Sequence, residues 1–138
     1  MHARQQIRDA VKTLLIGNTA AGQSVFENRT STLTPIELPA IVIASEKETS
    51  VPRDNINSQY IRHLTLLIEI RVQATADSAA DDALDNLAQQ VESLIQMSGN
   101  AAGPAYSMLL TDTAVQFSAE GDSYTGHLTL TYDCTYIF

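Results

Sequence analysis

The stretch from Tyr60 to Ala74 alternates between apolar and polar side chains with a period of two. Tyr60, Leu64, Leu66, Ile68, Ile70, Val72 and Ala74 fall on one face of a strand, and His63, Thr65, Leu67, Glu69, Arg71 and Gln73 on the other. From Asp77 to Ser98 the spacing changes to that of a helix, with Ala80, Leu84, Leu87, Ala88, Val91, Leu94 and Ile95 along one side. A long half-apolar strand followed at once by a long amphipathic helix leaves few folds open. The helix stripe needs an apolar partner, and the strand face supplies one. The expected core contains Leu66, Ile68, Ile70, Leu87, Val91, Leu94, Leu128, Leu130 and Tyr132.

The flanking segments extend this unit. Residues His2 to Ile16 fit a helix with Ala3, Ile7, Ala10, Val11, Leu14 and Leu15 inward, and Gly17-Asn18 is a suitable stop. Thr19 to Ser24 reads as a loop, Val25-Phe26 as a short strand, and Asn28 to Glu37 as a longer loop. Pro39 to Ala44 is a compact apolar run, expected to form a strand covered on both faces. Residues 45–59, by contrast, are mostly polar and turn-forming, and are read as an exposed loop that is either functional or simply solvated. Tyr106 to Glu120 is strand-like but irregular: Leu109, Val115 and Phe117 share one phase, Met108, Leu110 and Ala114 the other, as a bulge or an edge position would produce. Gly121-Asp122 marks a turn before a cleanly alternating strand from Tyr124 to Phe138. The expected fold class is α+β, sandwich-like, with a mostly antiparallel mixed sheet and two main helices packed on it, as one domain spanning residues 1–138.

Charge and composition exclude several functions. Sixteen acids against eight bases give a net charge of -8, the wrong sign for gripping a phosphate backbone. Such a surface suits solubility, or a protein that lets DNA pass without holding it. No apolar run approaches a membrane span of about 20 residues. The start, Met1-His-Ala-Arg-Gln-Gln, lacks the apolar core of a signal peptide, so folding in the cytoplasm is expected. Cys134 is the single cysteine and sits in phase with the inward residues of the last strand, as a buried inert thiol would.

No constellation reads as an active site. The glycines are dispersed, zinc spacing is absent, and no serine lies in a Gly-x-Ser-x-Gly turn. His63 and His127 fall on polar strand faces where a sheet could bring them together, a weak case for a metal site. Asp77 or Ser78 can cap the second helix, and Asp81, Asp82 and Asp85 suit its N-terminal dipole. No catalytic, cofactor or metal residue is expected. The candidate subunit or partner contacts are Asp81, Asp82, Glu48, Arg53 and Asp54.

The order of elements, with local matches at Ile7-Arg-Asp-Ala-Val11, Val25-Phe-Glu-Asn-Arg29, Glu37-Leu-Pro-Ala-Ile41, Leu66-Leu-Ile-Glu-Ile70, Asp81-Asp-Ala-Leu-Asp85 and Gly126-His-Leu-Thr-Leu-Thr-Tyr132, resembles the tail-terminator family of long-tailed bacteriophages, also called minor tail protein U. The loops Thr19 to Ser24 and Gly99 to Tyr106 depart from that pattern. The resemblance implies a non-enzymatic virion protein, made in the host cytoplasm, that forms a homohexameric ring on the phage tail tube. Such a ring stops polymerisation of the tail-tube protein at the length set by the tape-measure protein. It then offers a surface to the head-completion or connector protein, and DNA passes through it without specific binding. The alternatives are another head–tail joining or tail-tube ring protein, a small acidic binding module, or a small enzyme using acids near Asp77 to Asp85.

Overall fold

The computed structural model describes residues 2–29, 33, 35–54, 58–74, 77–120 and 123–138. Its elements are α1 (Ala3–Leu15), β1 (Val25–Glu27), a short 3-10 turn (Pro35–Glu37), β2 (Ala40–Pro52), β3 (Tyr60–Ala74), α2 (Asp77–Met97), β4 (Ser107–Glu120) and β5 (Ser123–Ile137). The strands form one mixed sheet in the order β1-β2-β3-β5-β4. Among the described residues only the β1–β2 pair is parallel. This is the expected α+β architecture.

Both helices pack on one face of the sheet, α1 over β1 and β2, α2 over β3 and β5. The layers meet through Ile7, Val11 and Leu15 of α1, Leu84, Leu87, Val91 and Ile95 of α2, and the inward residues of β3 and β5. Eight of the nine expected core residues are buried; Leu94 is only partly so, at the margin of the cluster. Leu33, Ala40 and Val42 form a smaller cluster on the other face with Phe26 and Leu38, so the first residues of β2 are covered on both sides, as their sequence requires. Gly126 permits the close approach of α2, because a Cβ there would lie 2.8 Å from Leu84 Cδ1.

Several expectations need correction. Residues 45–52 are not loop: β2 continues to Pro52, and its outer half pairs with β3 from Lys47 opposite Thr65 to Pro52 opposite Tyr60. A bulge between Ser45 and Lys47 marks where this outer ribbon begins. The backbone ladder holds the ribbon together, so it forms without an apolar pattern. The connection shrinks to residues 53–59, of which Asn55, Ile56 and Asn57 lie outside the described residues, as does the Gly121-Asp122 turn. Capping by Asp77 or Ser78 also falls on side chains outside those described. Tyr60, assigned to the apolar face, is exposed at the ribbon end. In β4 both explanations of the mixed phase hold: it is an edge strand, and a bulge lies between Leu110 and Asp112.

Candidate functional site

Glu48, expected in an exposed loop, is instead the centre of a half-buried ionic cluster. Its side chain is 9% exposed. Arg4 Nη1, brought by the first turn of α1, donates to Oε2 at 2.8 Å, and Arg62 Nη1, from β3, donates to the same oxygen at 3.1 Å. The Tyr136 hydroxyl, from β5, donates to Oε1. Four elements therefore converge on one carboxylate. His2 caps α1 by accepting the Arg4 amide at Nδ1, and its ring packs on Phe138 at 4.6 Å between centroids. Arg62 lies over the rings of Tyr60 and Phe138. The cluster joins α1 to the base of the β2–β3 ribbon.

Burial alone would raise the Glu48 carboxyl, but the hydrogen bonds from Tyr136, Arg62 and Arg4 outweigh it and hold the group below the usual carboxylate range. Burial, and then the bond to Glu48, push the Tyr136 phenol well above its ordinary value. A carboxyl with a folded-state pKa below its unfolded value stabilises fully above the unfolded pKa of about 4.3. That contribution is lost as pH falls through the folded value. Urea midpoints followed from neutral pH downward should therefore fall below about pH 4.5, and the Glu48→Gln variant should show a shallower fall over the same window. Equal slopes for both proteins would show that Glu48 does not carry this dependence.

The other expected contact residues are scattered. Arg53 and Asp54 sit at the tip of the ribbon, where the Arg53 amide donates to the Gln59 carbonyl and its guanidinium to Gln59 Oε1, both at 2.9 Å. Asp81 and Asp82 are exposed at the start of α2, at the opposite end of the sheet. The five residues do not form one site. His63 and His127 do not meet either: His63 lies opposite Thr135, while His127 lies opposite Arg71, far along the same ladder. Among the described residues no three His, Cys, Asp or Glu side chains are close enough to hold a metal ion. Cys134 is fully buried, and burial pushes its thiol up to about 12.

A surface that the sequence did not disclose lies along β4. The sheet is wider than its helix layer, and beyond Met108, which is buried in the main core, this strand is exposed from Leu109 to Ala119. Pairing places Leu110 beside Tyr132, Val115 beside Leu128 and Phe117 beside Gly126, so all three face the helix side. The bulge restores this common phase. Leu110, Val115 and Phe117 are nevertheless 40%, 45% and 48% exposed. An open groove of about 540 Å³ runs between Leu110 and Thr113 on this strand and Asp85, Gln89 and Glu92 on α2. β4 carries no Lys, Arg or Pro to blunt its free edge.

No curated protein sequence matches the chain. Among solved structures, it is similar to a chain in the virion of a native gene transfer agent particle, with a TM-score of 0.50 over 96% of this chain and 97% of that one. At 8% identity that likeness concerns the fold alone. The sequence profile of the family described as phage minor tail protein U matches residues 2–136. That span runs from the start of α1 to the penultimate residue of β5, and the chain belongs to the phage minor tail protein U family.

Proposed function

We propose that six copies of this protein form a ring on the end of the phage tail tube, stop the tube protein from polymerising further, and present the surface to which the head is joined. The protein is a structural component of the virion tail; the ring and its capping role are the finer reading. Membership of the minor tail protein U family carries it. The structure supports it through the uncovered apolar face of β4 and through charge. A net charge of -8 suits a ring through which DNA moves without being held. In this reading the tail-tube protein lies on one side, the head-completion or connector protein on the other, and the tape-measure protein sets when the ring arrives.

Sedimentation of the purified protein tests the ring: a species of six 15.0 kDa subunits is expected. A protein that remains monomeric up to its solubility limit would contradict the ring.

The ribbon tip is the proposed contact with the tube. It projects beyond the helix layer, and Arg53 and Asp54 offer one charge of each sign at its end. Replacing both with Ala is expected to leave the fold and the ring unchanged and to produce overlong tubes in particles assembled with the variant. Tubes of normal length would remove the tip from tube recognition.

A further inference from the structure

The charge of this protein is divided across its sheet. All eight Lys and Arg lie within residues 4–71, beside seven of the sixteen acids, whereas residues 72–138 hold nine acids and no Lys or Arg, His127 being their one imidazole. The strand order converts that division of sequence into one of space. α1, β1 and β2 occupy one side and β5 and β4 the other, with β3 between them and α2 packed over β3 and β5. Exposed apolar groups are divided in the same way. On the acid-only side Val115 and Phe117 lie uncovered; on the other, Ile36 stands out from the 3-10 turn beside β1 and β2 and is 93% exposed. The two features share one end of the sheet. Ile36 closely precedes Ala40, which pairs with Arg71; Arg71 pairs with His127, and His127 with Gln116, the neighbour of Phe117.

We infer that the β4–α2 side of one copy receives the β1 side of the next copy, with Ile36 seated against Val115 and Phe117. The inference rests on the ring reading and names the junction that would build the ring. A second copy fits for two reasons. The molecule carries both halves of the contact on opposite edges, and the β1 side, with eight Lys and Arg against seven acids, does not repel the acidic β4 side. Pairing β4 with β4 across a two-fold axis would instead set two acid-only sides against each other, which repulsion disfavours. A contact between unlike edges does not close in pairs; repeated, it closes as a ring when its rotation divides a full turn, as the ring reading requires, and otherwise runs on as a filament. The apolar face left open beside α2 is thereby covered.

Two variants test this by sedimentation and light scattering, with far-UV circular dichroism to check folding. Phe117→Glu spoils the β4 side and Ile36→Glu spoils the other; both residues are exposed enough that the monomer should fold. Each variant alone should associate roughly 100-fold more weakly than wild type. Mixed in equal amounts, they should form a two-subunit species and nothing larger, because only one intact junction is available per pair. Val115→Glu should behave as Phe117→Glu does. Normal rings from both Phe117→Glu and Val115→Glu would overturn the junction while leaving the ring reading intact. Dimers of Ile36→Glu alone would overturn it in favour of symmetric β4 pairing. A wild-type protein that stays monomeric at every concentration would overturn both the junction and the ring, leaving the tube protein as the partner of β4.

Discussion

Truncating Ile68 to Ala is expected to lower the free energy of unfolding by about 2–5 kcal/mol. Ile68 is fully buried in the middle of β3, paired with Ile43 of β2 on one side and Leu130 of β5 on the other. The α2 helix packs across these strands, so removing three carbons opens a space that neither layer can close without breaking its own contacts. The loss combines the transfer free energy of the deleted atoms with a cavity term. Leu94→Ala offers the internal contrast. Its side chain is only partly buried at the margin of the core, and its loss should be clearly smaller. Urea denaturation at neutral pH, with an unchanged slope, measures both. Equal and small losses at the two positions would contradict the assignment of the β3–α2 contact as the centre of the core.

Replacing Glu48 by Ala should cost about 2–4 kcal/mol, which is unusual for an acid in a polar stretch of sequence. Three donors lose their acceptor at once. The Tyr136 hydroxyl is left without its partner on a fully buried residue, and Arg4 and Arg62 are left facing each other with no charge between them. Leaving buried groups unpaired costs more than a net hydrogen bond contributes. Tyr136→Phe made in the Glu48→Ala background should recover part of the loss, because it removes the orphaned hydroxyl, and a double-mutant cycle would measure the coupling. Glu46, exposed two residues earlier in the same strand, is the control; its replacement by Ala should change stability little. If both replacements cost the same, the cluster is not a tie between α1 and the ribbon.

Apart from the short apolar run that opens β2, the legible parts of the fold are those where one face is buried and the other is wet. β3 and β5 keep a strict period of two because α2 and the core lie on one side only. The two helices keep their stripes for the same reason. The outer half of β2 carries no such signal. From Ser45 to Glu48 the strand meets α1 only through polar and ionic side chains, Thr49 to Pro52 is exposed, and a strand without a buried apolar face has no periodic pattern to read. The role of Glu48 was hidden because its partners lie 44 residues before it, 14 after it and 88 after it. In β4 the alternation is present but broken by one extra residue at the bulge, so Leu110 appears out of phase with Val115 and Phe117 although all three share a face. The exposure of that face follows from the width of the sheet relative to two helices, which no local pattern encodes.

Tail length in particles made without this protein bears most directly on its role in ending the tail tube. Electron micrographs of lysates from a phage carrying a stop codon in its coding sequence should show tubes running past their normal length and heads left unattached. Supplying the wild-type protein in trans should restore both length and joining. Tails of normal length joined to filled heads in its absence would contradict the proposal.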